Sequence, residues 1–310
     1  MHKLNTILLS SLISATLLTG CNSGTSQSDE SPTGHLSVNI TDAPIDGASN
    51  VIIKFTGLSI KPESGPAIQI DFADGPKQID LLDLQGSLSQ ALLTNEEVNA
   101  GKYNWIRLDV VTDPNANNSG TPASLDYSYI TIDGINQALY IPSGNQTGLK
   151  LNTPFTIPED GAIAVTIDFD LRKSILPPNN NKQAYKLKPS LRLVVNDQIG
   201  HINGSFVGGT ALAVQDCTEN SYAVYLYGGH DITPDDIDDI DPNPVVTSLT
   251  TLNQANDQAY ELGFVPAGNY TIAYTCNAQA DLAESSEDVI FLGASNTSVI
   301  AGQTTTHNFE

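Results

Sequence analysis

Hydrophobic and polar side chains alternate along much of the chain, and this period of two constrains the fold more than any other feature. From Gly34 onward, Leu36, Val38 and Ile40 alternate with polar residues, as expected where successive side chains point to opposite faces of a sheet. Clusters of Gly, Pro, Asn and Asp separate such segments and are typical of turns. The sequence therefore predicts an all-β fold of antiparallel strands. Further candidate strands lie at residues 51–60, 68–72, 79–84, 106–110, 129–132, 165–171 and 187–195.

One segment has the pattern of a helix instead. Ser87 and Gln90 have the spacing of a capping box, and the apolar residues 88, 91 and 92 share one face of a helix. Gly101 follows as a stop signal. We therefore predict one short helix in the first half of the chain.

Two short repeats predict a second, related unit after Asp197. Gly34-His35-Leu36 opens the first block and Gly200-His201-Ile202 opens the second, and residues 100–103 and 267–270 share the pattern Ala-Gly-x-Tyr. In each Ala-Gly-x-Tyr segment the glycine permits a turn with positive φ before a strand. We predict two β-sandwich-like domains, residues 34–197 and 198–310.

The N-terminus has the features of an export signal. An apolar run from Leu4 to Leu18 follows Lys3 and is too short and too early for a spanning helix. It ends in Leu18-Thr19-Gly20-Cys21, which resembles the lipobox of bacterial lipoprotein signal peptides. The resemblance implies that residues 1–20 are removed and that Cys21 carries lipid, including palmitate, on a membrane. The alternative is an ordinary signal peptide with a chance cysteine.

Two further features bear on localisation. Asn22 follows the cysteine in place of the aspartate that retains such lipoproteins in the inner membrane of enteric bacteria, so the resemblance favours the outer membrane. Residues 22–33 have no large apolar side chain and are predicted to form a flexible tether from Cys21. The protein is thus expected to be exported and anchored, facing the periplasm or the cell surface.

The net charge of -22 excludes one class of partner. A surface this acidic repels phosphate backbones, so we expect no nucleic-acid binding. The acids are concentrated late in the chain: residues 199–310 contain 15 Asp and Glu and no Lys or Arg. The expected partners are the membrane, through the lipid anchor, and an unidentified protein or glycan.

Export also bears on the other cysteines. With Cys21 lipidated, Cys217 and Cys276 are the two that remain, and exported proteins experience oxidising conditions. We predict a disulfide between them, which would stabilise the fold by roughly 4 kcal/mol in the entropic account. Two free thiols are the alternative.

An acidic stretch in the second block, from His230 to Asp241, is a candidate metal site. Calcium binds several carboxylate oxygens at once, which this stretch could supply, although its spacing is not that of an EF-hand. The alternative is a solvated acidic loop. The candidate ligands are Asp231, Asp235, Asp236, Asp238, Asp239 and Asp241.

Aromatic rows form a candidate binding surface. Tyr103 and Trp105 alternate with aliphatic residues in the first block, as Tyr225 and Tyr227 do in the second. Such rows can stack on sugars or mark protein interfaces, and a second buried sheet face is the alternative.

Several motifs follow one another along the first block. The opening, residues 34–44, reads GHLSVNITDAP, and Ile79-Asp80-Leu81-Leu82, residues 100–103 with Arg107-Leu108, Ile167-Asp168-Phe169-Asp170 and residues 185–189 come after it. To about residue 196 this order resembles a family of bacterial lipoprotein domains, domain of unknown function 4382. The resemblance implies an exported β-rich domain without an established activity. Residues 200–204, 264–271 and the last strand are more loosely similar to carboxypeptidase-regulatory-like, transthyretin-type sandwiches.

No catalytic motif supports an enzyme. The chain lacks Gly-x-Ser-x-Gly, His-Glu-x-x-His, a phosphate-binding glycine loop and Cys-x-x-Cys. We therefore predict a non-catalytic binding, adhesion or structural module, without an assigned cofactor beyond a candidate calcium ion. The alternative is a carbohydrate-processing enzyme that uses Asp168 and Asp170, which lie on one face of a predicted strand.

Overall fold

Strands dominate the structure, as the alternating pattern predicts. The computed structural model describes residues 31–309 except 44, 46, 143, 180–182, 207–220, 239, 256 and 284. The predictions for the signal peptide, for Cys21 and most of the tether, and for Cys217 and Asp239 therefore lie outside the described residues. The fold class is confirmed as all-β, with two sandwich-like parts.

The first sandwich is built from the strands that precede residue 196. Its helices are single turns, α1 (Ala116–Ser119), α2 (Gly144–Thr147) and α3 (Leu171–Ser174). Its strands are β1 (Thr33–Ala43), β2 (Ala48–Pro62), β3 (Ile68–Asp71), β4 (Lys77–Asp80), β5 (Gln90–Asn99), β6 (Gly101–Val110), β7 (Tyr129–Ile132), β8 (Ile135–Tyr140), β9 (Leu149–Leu151), β10 (Phe155–Ile157), β11 (Ala162–Asp170), β12 (Ile175–Leu176), β13 (Tyr185–Leu187) and β14 (Leu191–Val195).

Two sheets enclose the first core. One has the order β14-β11-β1-β5, and the other has ten strands arranged around β2 and β6. Leu36, Val38 and Ile40 of β1 are fully buried in this core, so their predicted inward face is confirmed. Most pairings are antiparallel, but β1 pairs with β11 in parallel.

The helix predicted from Ser87 is wrong. Residues 90–99 form β5, which pairs antiparallel with β1 through two register shifts. Leu92 and Leu93 are buried, whereas Leu88 is 58% exposed, so the apolar side chains do not share a helical face. Pairing along β1 satisfies the backbone of the whole segment, and this outweighs a local capping preference that stabilises by about 1 kcal/mol.

The second sandwich contains eight described strands in two four-stranded sheets. The sheet orders are β18-β19-β15-β22 and β17-β16-β20-β21. Its core is rich in aromatic rings, and Phe206 contacts four of them. The strands are β15 (Ile199–Ser205), β16 (Ala223–Gly228), β17 (Val246–Leu249), β18 (Thr251–Leu252), β19 (Gln258–Pro266), β20 (Gly268–Thr275), β21 (Leu292–Val299) and β22 (Thr304–Thr306).

The two sandwiches touch through backbone as well as side chains. A Cβ atom added at Gly263 of β19 would lie 1.8 Å from the carbonyl oxygen of Gly86, which precedes β5. Val194, Ile199 and Phe264 form a small buried cluster beside this contact. Both sandwiches belong to one compact unit, residues 32–310, and the domain boundary at residue 197 stays a prediction. None of the helices in the described part of the chain has the length and apolar character that crossing a membrane requires.

Candidate functional site

The acidic stretch folds over the outer face of a sheet in the second sandwich. Val224 and Leu226 of β16 point into the main core, and Tyr225 and Tyr227 point to the opposite face. Ile237 of the acidic stretch packs on that opposite face, and both tyrosines are fully buried. Burial raises the pKa of both tyrosine hydroxyls. The middle of the acidic stretch, around Ile237, is therefore packed on this sheet as a third layer, whereas its ends at Asp231 and Asp241 are exposed.

The predicted calcium ligands have different environments. Asp236 is 1% exposed, whereas Asp231 and Asp241 are exposed and Asp235 and Asp238 are partly buried. Several hold local structure: Asp231 accepts a hydrogen bond from the amide of Asn296 at 2.9 Å, and Asp238 accepts one from a backbone N–H at 2.8 Å. The structure therefore brings only Asp236, among the described predicted ligands, into a group of metal-binding geometry.

The partners of Asp236 in this group are Asp281 and Glu287. One carboxylate oxygen from each of the three residues lies within 4.8 Å of the others. Asp281 and Glu287 come from the segment between β20 and β21, and the backbone N–H of Glu287 donates to Oδ2 of Asp236 at 2.6 Å. We call these three residues the carboxylate cluster. Sequence reasoning missed two of its members because they lie about 50 positions from Asp236; only the lack of Lys and Arg after residue 198 pointed to uncompensated charge.

Asp281 has a fully enclosed side chain. Its side chain has no exposed surface, Oδ2 accepts a hydrogen bond from Tyr225, and Oδ1 accepts one from the backbone of Ile237 at 3.0 Å. Burial raises the pKa of Asp281, while these hydrogen bonds and Arg172 act in the opposite direction. Asp281 thus links the acidic stretch to the sheet beneath it.

Arg172 of α3 connects the first sandwich to the carboxylate cluster. Its Nη2 atom lies 4.0 Å from Oδ2 of Asp281 and donates to the carbonyl of Ala278 at 2.6 Å. The guanidinium also lies over the ring of Tyr225, 5.3 Å from the centroid. A side chain of the first sandwich is therefore buried against the acidic layer of the second.

The predicted aromatic surface is not formed as a row. Tyr225 and Tyr227 are buried, and Tyr103 is also buried, stacked on Phe155 at 5.4 Å between centroids. Only Trp105 is partly exposed, and the ammonium of Lys150 lies 4.6 Å from the ring centroid. Tyr225 and Tyr227 agree with the alternative of a second buried face, whereas Tyr103 lies in the main core of the first sandwich. Trp105 is the one candidate with an accessible ring.

The irregular pairing of β6 explains why Tyr103 and Trp105 differ. Trp105 pairs with Lys61 of β2, but Tyr103 pairs with Pro62, so two positions in β6 correspond to one in β2. A bulge of this kind moves the side chains beyond it to the other face. Tyr103 therefore enters the core although strict alternation places it outside.

Asp168 and Asp170, the candidate catalytic pair, have structural partners. Asp168 is buried and forms an ion pair with Arg192, the residue opposite it on β14. Burial raises the pKa of Asp168, and Arg192 lowers it. Asp170 accepts a hydrogen bond from the backbone N–H of Lys173 at 3.2 Å and caps α3. The cavity that Asp168 lines measures about 10 Å³, room for about one water molecule rather than a sugar.

A surface cleft of about 560 Å³ lies beside the contact between the sandwiches. Amide and hydroxyl side chains line it, among them Asn203, Asn253 and Asn308, and among the described residues one carboxylate, Glu261, lines it as well. Acid–base hydrolysis of a glycoside uses two carboxylates, and the lining of this cleft supplies one. The cleft suits hydrogen bonding to a polar ligand better than it suits catalysis.

The fold and these sites define an all-β chain with a buried carboxylate cluster and without a catalytic pair among the cavities described. Residues 33–189, just over half of the chain, match the family described as Domain of unknown function (DUF4382). The chain belongs to this family, and the sequence resemblance of the first block is confirmed. No curated protein matches the chain.

Comparison with solved structures finds remote likenesses. A leucine-rich repeat protein from Bacteroides thetaiotaomicron is 12% identical, with a TM-score of 0.22; the alignment covers 90% of this chain but 26% of that one. A tip fimbrial protein from Porphyromonas gingivalis is 9% identical (87% of this chain, 82% of that one, TM-score 0.18). The major pilin from Streptococcus pyogenes is 10% identical (89% and 99%, TM-score 0.18). This chain thus spans about a quarter of the repeat protein, and values this low carry no inference about function.

Proposed function

We propose that the protein is an exported lipoprotein, held on the outer membrane by acyl chains on Cys21, that acts as a non-catalytic binding, adhesion or structural module. The sequence Leu18-Thr19-Gly20-Cys21 after an apolar run supports the anchor. Membership of the family described as Domain of unknown function (DUF4382) is compatible with this role. The predicted tether, limited to residues 22–32 because Thr33 begins β1, would have a root-mean-square reach of roughly 20 Å from the lipid surface.

The observation that carries the non-catalytic assignment is that the candidate catalytic carboxylates have structural partners or stand alone. Asp168 is bound to Arg192, Asp170 caps a helical turn, and Glu261 has no second acid beside it among the described residues that line its cleft. An enzyme needs titratable groups that converge on a substrate pocket. The polar, shallow cleft around Glu261 offers amide and hydroxyl groups to an uncharged ligand, and a glycan has the matching hydroxyl groups.

The binding assignment is tested by retention and hydrolysis in one experiment. The full chain in detergent is incubated with a panel of cell-surface polysaccharides, and both bound glycan and newly formed reducing ends are measured. We expect at least one glycan to be retained without cleavage, and Glu261→Gln to reduce its retention. Glu159→Gln, a change outside the cleft, is the matched control. Release of reducing ends that is lost in Asp168→Asn would establish the enzyme instead.

The anchor is tested by metabolic labelling with a lipid precursor. We expect label on the native protein, its loss in Cys21→Ala, and its retention in the control Cys276→Ser. Fractionation of the envelope should place the labelled protein in the outer membrane. An unacylated native protein, or one whose N-terminus is not Cys21 by mass spectrometry, would contradict the proposal.

We also propose that Cys217 and Cys276 form a disulfide and that the second sandwich is of the transthyretin type.

We further propose that calcium stabilises the acidic second sandwich. The absence of Lys and Arg from residues 199–310 supports a bound cation, because uncompensated charges repel each other. An ion at a hundredfold excess over its Kd should add about 2.7 kcal/mol to the free energy of unfolding. Unfolding of the full chain in calcium, in chelator and in sodium chloride of matched ionic strength measures this difference.

A further inference from the structure

One oxygen of the carboxylate cluster lacks a hydrogen-bond donor. Asp236 is 1% exposed, and its Oδ2 atom is bonded to the backbone of Glu287. Within the part of the chain that the structure describes, Oδ1 of the same carboxylate accepts no hydrogen bond. A buried anionic oxygen is costly unless a donor or a cation compensates it. The position of Oδ1 therefore indicates that a ligand belongs beside it.

The charge around the carboxylate cluster indicates the sign and size of that ligand. Asp236, Asp281 and Glu287 bring three carboxylates together, and Arg172 is the cationic side chain that reaches them, 4.0 Å from Asp281. Residues 199–310 supply no other fixed positive charge. When the three carboxylates are ionised, the excess of two negative charges matches a divalent cation.

The geometry fits calcium. Calcium binds six to eight oxygens at 2.3–2.6 Å, so two of its ligands lie at most about 5 Å apart. Three carboxylate oxygens that lie within 4.8 Å of one another are close enough to be ligands of one such ion. Glu287 is only partly buried, so water can complete the coordination from that side. Magnesium requires shorter bonds and near-octahedral order, a stricter geometry than calcium accepts.

We propose that Asp236, Asp281 and Glu287 bind one calcium ion that fastens the acidic layer to the second sandwich. The inference rests on the proposed calcium stabilisation and assigns it to three residues. The ion would join the loop between β16 and β17 to the segment between β20 and β21. Through the contact of Asp281 with Arg172, it would also hold that layer against the first sandwich. Bound calcium thereby keeps Tyr225 and Tyr227 covered.

Terbium luminescence and calorimetry of the full chain in detergent test this assignment. Terbium replaces calcium at oxygen sites and is excited through nearby tyrosine, here Tyr225, so its emission reports this location. We expect one saturable site, displaced by calcium, with affinity reduced at least tenfold in Asp236→Asn and in Glu287→Gln. Asp288→Asn, which removes an exposed carboxylate next to Glu287, is the matched control and should bind as tightly as the unmodified protein.

Thermal unfolding distinguishes a metal ligand from a merely structural residue. Without calcium, Asp236→Asn should unfold at the same temperature as the unmodified protein or higher, because the change removes an uncompensated buried charge. With calcium, only the unmodified protein and Asp288→Asn should gain stability. A lower unfolding temperature for Asp236→Asn in chelator would make the residue structural and overturn the site.

The remaining outcomes separate this inference from the broader proposal. Calcium binding that persists unchanged in both cluster variants would overturn the site and leave calcium stabilisation standing. The absence of any calcium binding would overturn both, while the lipid-labelling experiment would still decide the anchor. Magnesium that binds as tightly as calcium would overturn the choice of ion.

Discussion

Replacing Gly263 by alanine should separate the two sandwiches. The new Cβ atom would lie 1.8 Å from the carbonyl oxygen of Gly86, 2.5 Å from its carbonyl carbon and 3.1 Å from the backbone nitrogen of Ser87. All three neighbours are backbone atoms, so no side chain can rotate away. The chain can accept the methyl group only if β19 and the segment before β5 move apart.

The size of the effect follows from that displacement. Real Cβ contacts essentially never fall below 3.0 Å, so the two backbones must separate by about 1 Å or more. A gap of this size forfeits roughly a quarter to a half of the dispersion attraction between facing atoms, here including the buried cluster around Phe264. Overpacking costs about 1–3 kcal/mol, and contact between two backbones places Gly263→Ala at the upper end. We expect the Tm to fall by roughly 6–12 °C.

Circular dichroism during heating of the full chain measures the Tm, and limited proteolysis reports separation of the sandwiches. Gly228→Ala is the matched control, because the nearest atom to its new Cβ is a side-chain methyl of Val245 at 3.6 Å, an ordinary contact. It should change stability by about 0.5 kcal/mol or less. If Gly263→Ala and Gly228→Ala melt together and resist protease equally, the close backbone contact between the sandwiches is wrong.

Three further predictions concern the second sandwich. Phe206→Ala should lower the free energy of unfolding by about 3–5 kcal/mol, because the ring is buried among four other aromatic rings. A loss under about 1 kcal/mol in a urea titration would contradict that packing. Burial lowers the pKa of the His307 imidazole from 6.5. The contribution of His307 to stability is therefore complete above pH 6.5 and is lost as the pH falls toward the folded-state pKa. His307→Gln should flatten the dependence of Tm on pH below 6.5, and an unchanged slope would refute this. If Cys217 and Cys276 are paired, Cys276→Ser should lower stability by about 2–5 kcal/mol, and the native protein should carry no free thiol at either position by mass spectrometry.

The sequence predicted those parts of the fold that depend on local alternation. Leu36, Val38 and Ile40 point inward as expected, since a strand in the middle of a sandwich sheet shows its burial directly in its pattern. Tyr103 departs from the pattern because a bulge in β6 changes the face of the residues beyond it. A bulge depends on the partner strand, and no residue within β6 marks it.

The carboxylate cluster was less predictable from the sequence, because it too depends on contacts between distant parts of the chain. The sequence marked Asp236 as one acid among several, but its place in the carboxylate cluster depends on the contact with the backbone of Glu287. Asp281 belongs to the cluster because it lies above Tyr225, a contact between residues 56 positions apart. Composition alone indicated excess charge in the second block; tertiary contacts decide where that charge is concentrated.

The acidic layer suggests why this part of the chain contains so many carboxylates. A layer made of loops has no neighbouring strand to accept hydrogen bonds from its backbone N–H groups, and buried N–H groups need acceptors. Carboxylates take that place: Asp281 accepts from Ile237, Asp236 from Glu287, and Glu287 from Leu282 at 3.0 Å. Each hydrogen bond organises the loops, but each also adds a negative charge above the same sheet. A fold that covers β16 in this way therefore creates the need for a cation at the point where the acceptors converge, and the carboxylate cluster lies at that point.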